Sequence, residues 1–322
     1  MILDLLLVAV GVAMLARAGD YLVDCSVAIA DKARLTPAVV GLTVVAAGTS
    51  APELFVSVTA ALAGSPAIAV GNAVGSNVAN IGLVLGAAAL IAPIPIARAI
   101  LRFEYPVMIA ASLALPLACY GGELGRVAGM LFVAAIAWFL VYSIRLARLE
   151  GPGLENVAEL VPESAAAMMG RSPLALTGGV VLGIVGLAAG AHLLVVGASG
   201  VALALGVSER VVGLTVVAFG TSLPELVATL AAAVKRHHAM AIANIVGSNI
   251  FNILLILGVT ATIRPIRIEP QLLWQDIPVM LGFALALGPV VARGRGLSRR
   301  TGAVLVVLYL VYIVWLARAP GV

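Results

Sequence analysis

The sequence predicts an all-α polytopic membrane protein: ten transmembrane helices arranged as two inverted-topology repeats of five, with broken helices at a central site. Three observations carry that prediction. The 322 residues are 62% hydrophobic and only 11% charged, with a mean hydropathy of +1.16, where a soluble domain carries about a quarter charged residues. Apolar runs of about 20 residues, each long enough to cross a bilayer as a helix, recur along the chain. Finally, "GLTVVAAGTSAPEL" (41–54) is written again as "GLTVVAFGTSLPEL" (213–226).

Breaks at proline, glycine and charge clusters divide the chain into spans. The first covers 2–30. Asp4 stands where a signal peptide would be basic, and no small-residue cleavage site is obvious, so the segment reads as a retained helix. Arg17, Asp20 and Asp24 follow, read either as the lining of an ion entrance or, preferably, as a local ion pair near the interface. The next four spans are 37–62, 67–92, 104–120 and 125–146. A cytoplasmic linker, 147–172, holds Glu155, Glu159 and Glu163 at spacings of four. They suit the solvated face of a short helix, since no EF-hand spacing is present. The second half comprises 173–204, 209–234, 239–262, 275–292 and 300–317. The units are therefore 1–146, the linker, and 173–322. His192 reads as a packing residue, and His237 and His238 as solvated loop.

Ten spans put both termini on one side. Loops there hold Arg126, Arg210, Arg264, Arg267 and Arg318, whereas thirteen basic residues, including Arg98, Lys235, Arg236, Arg293 and Arg295, fall in loops on the other. Positive loops face the cytoplasm, so both termini are expected outside a cell membrane. The pI near 9.4 thus reflects topology rather than nucleic-acid binding. Cys25 and Cys119 read as small packing residues, and no CxxC or HExxH exists. Apart from the bilayer, no obligate partner and no cofactor are indicated.

The repeat has an offset of 172, held without a gap from Gly41–Gly86 to Gly213–Gly258 with 26 of 46 positions identical. Within it "GSNVANIGLVLG" (75–86) answers "GSNIFNILLILG" (247–258), and farther upstream Leu22 and Val23 answer Leu194 and Val195. Five spans per copy is an odd number, so the second copy enters the membrane from the opposite side. Inverted repeats of this kind recur in secondary transporters, with the site at the midplane between the copies.

Pro52 and Pro224 fall inside spans, where each removes a backbone hydrogen bond, and Gly48 and Gly220 loosen the same turns. The carbonyls of Ala46, Ala47, Ala218 and Phe219 then need other partners, and in a membrane such groups persist where they line a cavity or hold an ion. Thr49, Ser50 and Glu53 are matched by Thr221, Ser222 and Glu225. In the following span Asn72, Ser76 and Asn80 form a stripe at i, i+4, i+8, mirrored by Asn244, Ser248 and Asn252. This all-oxygen set suits Ca²⁺, Na⁺ or protons and argues against zinc or copper. Hydroxyls and amides often only join membrane helices, at about 0.6–2 kcal/mol per contact. Two equivalent glutamates are different, because an ionised group near the midplane is costly and marks function. Gly75 and Gly247 read as close packing, and Asn77 and Asn249 as helix-joining amides pointing away from the stripe. An intramembrane hydrolase is disfavoured by the lack of a Ser–His pairing or GxSxG. A passive cation channel is disfavoured by the inversion and the buried carboxylates, and a scaffold would have no need of two inverted acidic motifs.

The paired "GTSxPEL" and "GSNxxN" motifs, in the same order in both halves, resemble the α-repeats of the calcium/cation antiporter superfamily, in its prokaryotic sodium/calcium exchanger branch. The resemblance covers all ten spans. It implies Na⁺/Ca²⁺ antiport by alternating access, with Ca²⁺ held by Glu53, Glu225, Thr49 and Thr221. Flanking sodium sites would use Ser50, Ser76, Ser222, Ser248 and the carbonyls of Ala46, Ala47, Ala218 and Phe219. The first and sixth spans would be a sliding gate, and Asp20, placed near its outer half, is a position where the family favours an acid. Where potassium-dependent relatives have aspartate, this chain has Asn252, matched by Asn80. The site then keeps two formal negative charges, which speaks against potassium co-transport. A proton-driven Ca²⁺ antiporter using the same glutamates is the alternative.

Overall fold

The computed structural model describes residues 1–64, 66–95, 102–150, 163–206, 218–289 and 296–318. They form helices α1 (Ile2–Ala33), α2 (Pro37–Thr49), α3 (Ala51–Leu62), α4 (66–91), α5 (Glu104–Ala118), α6 (Arg126–Glu150), α7 (Glu163–Met169), α8 (Pro173–Ala204), α9 (Leu223–Val234), α10 (His238–Ile263), α11 (Leu272–Ala286) and α12 (Arg299–Arg318). A two-residue antiparallel ribbon, Glu123–Leu124 against Ile266–Arg267, ties the two halves together at one end.

Six of these helices are long and apolar enough to cross a membrane, or seven if α2 and α3, bent by 41° at their junction, count as one span. The expected ten are thus not all full-length helices. α5 has 15 residues and α9 has 12. At 1.5 Å per residue, 15 residues cover about 22 Å, less than the ~30 Å hydrocarbon core. α5 is short because it begins only at Glu104 and stops at Cys119, ahead of a turn through Gly122 at φ 78°. Residues 209–217 of the expected seventh span, together with Arg98, Arg210, Arg293, Arg295, Glu155 and Glu159, lie outside the described residues.

Burial identifies the centre. Of the apolar spans, α10 is 89% and α4 is 72% buried inside the protein, against 17% for α1 and α12. α4 and α10 are equivalent segments of the repeat, so the duplicated "GSN" helices form the middle of the molecule. Small residues permit this: a Cβ on Gly247 would lie 2.6 Å from the carbonyl oxygen of Leu42 in α2.

The other equivalent pair, α1 and α8, packs along nearly its whole length. A Cβ on Gly11 would fall 2.7 Å from Leu194 N, one on Gly183 would fall 2.9 Å from Leu22 Cβ, and one on Gly179 would fall 2.6 Å from Cys25 Sγ. Positions rise along α1 as they fall along α8, so the two helices run antiparallel. Cys25 and Cys119 are both buried free thiols, as packing residues should be.

Candidate ion-binding site

Two breaks in the duplicated helices frame the site. Helical backbone is interrupted at Ser50 (φ −84°, ψ 5°), between α2 and α3, and at Ser222 (φ −88°, ψ 1°), before α9. Pro52 and Pro224 sit in the first turn of the helices that restart there. The proline does not puncture a continuous helix. It opens a new one, where its missing N–H is no loss. Gly48 and Gly220 have a role beyond loosening the turn: side chains of α8, Ile184 and Val195 respectively, occupy the space a Cβ would need.

The helix restarts place Glu53 in the first turn of α3 and Glu225 in that of α9, where the helix dipole favours a negative charge. Both are 1% exposed. The Ser50 hydroxyl donates to Glu225 Oε1 across the repeat boundary at 3.0 Å, and Thr49 Oγ1 lies 3.4 Å from the carbonyl oxygen of Ala46. Thr49, Ser50, Ser76, Asn80, Ser222, Ser248 and Asn252 are all buried, and Thr221 is half-buried.

Two of the four expected carbonyls are already engaged. Ala46 O accepts from Ser50 N at 3.1 Å and Phe219 O accepts from Ser222 N at 3.2 Å, so the last turn before each break is closed rather than freed. Ala46 O also accepts from Thr49 Oγ1 at 3.4 Å, which occupies its second lone pair, whereas Phe219 O keeps one. Ala47 lies in the last turn of α2, and Ala218 begins a short helical turn, Ala218–Gly220.

Asn72 and Asn244 do not join the set through their nitrogens. Asn72 Nδ2 donates to Ser57 Oγ (3.0 Å) and to Glu53 O (3.2 Å), and Asn244 Nδ2 donates to the equivalent Thr229 Oγ1 (3.0 Å). These bonds clamp each central helix to its neighbouring half-helix. At Asn80–Leu85 and Phe251–Leu257 the central helices widen into π turns, a distortion common at functional sites.

Glu53 Oε2, Glu225 Oε2, Asn80 Oδ1, Asn252 Oδ1 and Ser248 Oγ are all buried without a hydrogen-bond partner. Buried polar groups are rarely left so, and each costs about 1–3 kcal/mol. Four are oxygens that can only accept while the carboxylates are ionised, and they come from both repeats. Such a set accounts for itself if a cation occupies it. Among the described residues no group of three or more His, Cys, Asp or Glu side chains is placed to hold a metal ion.

Asn77 and Asn249 join helices as expected, but sequence reasoning missed Met108 and Met280, whose side chains meet those amides behind Asn80 and Asn252. Each pair is related by the offset of 172, which was the available signal. Asp20 and Asp24 do form an ion pair, with a different partner and place than expected. Lys235 Nζ, at the end of α9, lies 2.7 Å from Asp24 Oδ1 and 3.6 Å from Asp20 Oδ1. They belong to the Lys235 end of α1, because the tight α1–α9 crossing near Gly19 and Val227 brings those ends together. His237 is 2% exposed rather than solvated, because the positive φ of Arg236 (65°) turns the chain back before α10. His192 is exposed on α8, away from the α1 seam, and is not a packed core residue.

The sequence model of the family described as "Sodium/calcium exchanger protein" matches residues 3–145 and 175–318. The inner membrane protein YrbG of Escherichia coli is 35% identical over 331 residues, covering 98% of this chain and 97% of its own. The sodium/calcium exchanger MaX1 of Methanosarcina acetivorans is 31% identical over 345 residues, covering 97% of each chain. Among solved structures, that of the sodium-calcium exchanger NCX_Mj soaked with 10 mM Na⁺ and zero Ca²⁺ superposes with a TM-score of 0.82 at 29% identity, covering 97% of this chain and 98% of the other.

Proposed function

Because the chain belongs to the sodium/calcium exchanger protein family, a family of exchangers rather than catalysts, we propose that it exchanges Na⁺ for Ca²⁺ across the cell membrane and so extrudes calcium. The observation that carries this reading is the set of buried, partnerless oxygens on Glu53, Glu225, Asn80, Asn252 and Ser248. Two carboxylates balance one Ca²⁺ or two Na⁺. Ca²⁺ is held by Glu53, Glu225, Thr49 and Thr221, and Na⁺ by Ser50, Ser76, Ser222 and Ser248 with nearby carbonyls.

Coupling follows from charge. A loaded site is neutral and can cross between its two accessible states. An empty one carries two uncompensated buried charges, a penalty of several kcal/mol each that blocks the return step. The moving part is the α1–α8 pair, which slides over the half-helices at Gly48 and Gly220. The architecture in this reading is ten membrane segments in two inverted sets of five, divided at 147–172. The antiparallel packing of the equivalent helices α1 and α8 supports it.

The test is ⁴⁵Ca²⁺ uptake into proteoliposomes loaded with Na⁺, with no external Na⁺ and equal pH on both sides. Uptake that vanishes when internal Na⁺ is replaced by choline is the expected result. Uptake that ignores Na⁺ and follows an imposed pH gradient overturns sodium coupling and makes the protein a proton-driven Ca²⁺ antiporter.

A further inference from the structure

Two chains of hydrogen bonds run behind the site, one in each direction across the repeat. In the first, Asn80 Nδ2 donates to Asn249 Oδ1 (3.2 Å), and Asn249 Nδ2 faces Met108 Sδ (3.6 Å). In the second, Asn252 Nδ2 donates to Asn77 Oδ1 (2.9 Å), and Asn77 Nδ2 faces both Met280 Sδ (3.5 Å) and Asn249 O (3.3 Å). All four asparagines and both methionines are 1% exposed, so these bonds lie away from bulk solvent.

An amide can present either its oxygen or its nitrogen, and the neighbours decide which. A thioether sulfur accepts and cannot donate. Sulfur at the far end therefore turns the nitrogen of Asn249 or Asn77 towards itself and the oxygen towards the next asparagine. That oxygen in turn engages the nitrogen of Asn80 or Asn252. The one atom left over in each chain is Oδ1 of Asn80 or Asn252, buried and without a partner. Flipped the other way, each chain would offer an N–H donor where a cation needs an oxygen.

We propose that Met108 and Met280 are positioning residues, which fix the amides of Asn80 and Asn252 with their oxygens free for the transported ion. The two are not equal. Asn77 retains a backbone acceptor in Asn249 O, whereas Met108 Sδ is the one acceptor for Asn249 Nδ2 among the described residues. Met108 is therefore the decisive residue. The inference rests on the cation-site reading given above.

The test measures the Kd for Ca²⁺ by calorimetry on the full purified chain, alongside Na⁺/Ca²⁺ exchange in proteoliposomes. Met108→Leu keeps volume and removes the acceptor. Its Kd should rise about tenfold, the effect of one buried hydrogen bond, whereas Met280→Leu should change it less than about threefold, because its neighbouring amide keeps an acceptor. In an Asn80→Asp background, where both side-chain oxygens accept whichever way they face, Met108→Leu should add nothing, a non-additivity expected of one network. Equal effects of the two leucine variants, no effect of Met108→Leu, or full additivity with Asn80→Asp overturns the proposal. Should Met108→Leu fail to assemble, protein made with norleucine in place of methionine exchanges sulfur for methylene at nearly constant shape, and the same comparison with Asn80→Asp decides. Unmodified protein that binds Ca²⁺ without exchanging it for Na⁺ removes the antiport reading and leaves this test intact. Protein that binds no Ca²⁺ at all overturns both.

Discussion

Glu53 and Glu225 each keep one carboxylate oxygen buried and unengaged, while Ser50 holds the other oxygen of Glu225. Replacing either glutamate by glutamine preserves shape and removes the charge that balances the ion. Glu53→Gln and Glu225→Gln should each lower ⁴⁵Ca²⁺ exchange at least about 100-fold, because a buried charge left without its partner costs several kcal/mol. Their melting temperatures without Ca²⁺ should stay level or rise, since a neutral amide is easier to bury than a carboxylate. Exchange at the unmodified rate in either variant would remove that residue from the site. The amides follow a different logic. Their charge is zero, so what they contribute depends on which end points inward, and that is decided by sulfur atoms behind them.

At the scale of the elements, the molecule divides into a buried centre, α4 and α10, and an outer pair, α1 and α8, joined by glycine contacts. The pair touches the half-helices through Gly19, Gly48 and Gly220 and is also clamped by Lys235, which bridges the end of α9 to Asp20 and Asp24. Lys235 caps the C-terminus of α9, where a cation is favoured. Its side chain is 15% exposed and that of Asp24 8%, so solvent screens the pair only partly. Any sliding of α1 over α9 has to break this clamp. Lys235→Met should lower stability in detergent by about 1–3 kcal/mol, between the ranges for exposed and buried pairs. It should raise turnover in proteoliposomes with little change in KM. An unchanged melting temperature together with unchanged turnover would show that the clamp carries no energy.

For the whole molecule, the outer surface is the informative one. Large apolar side chains such as Leu6, Trp138, Leu182 and Val311 are exposed on α1, α6, α8 and α12, far more than a soluble protein tolerates, and they fit a lipid-facing belt. From the basic loops we propose that both termini face outside. With both native cysteines replaced by serine, single cysteines at Ile2 and Gly321 should react with an impermeant maleimide added to intact cells. Labelling of both only after the membrane is opened would reverse the orientation, and labelling of just one would exclude an even number of crossings.

Much of this was legible in the primary sequence because it depends on composition and spacing. Hydropathy alone marks membrane helices, and the offset of 172 pairs Glu53 with Glu225 and Asn80 with Asn252 without any coordinates. The positions of the helix breaks were visible in the "GTSxPEL" motifs, although proline acts there as a helix start rather than as a kink. What tertiary structure alone decided is everything that depends on which atoms face each other across the repeat. The Ser50–Glu225 bond, the engagement of the Ala46 and Phe219 carbonyls, the Lys235 partner of Asp24, the burial of His237 and the sulfur-ended amide chains all join residues that are distant in sequence or set by local backbone turns. Periodicity says which face of a helix a residue occupies. It cannot say which neighbour that face meets, and in a low-dielectric interior the neighbour determines whether a polar group joins helices or binds an ion.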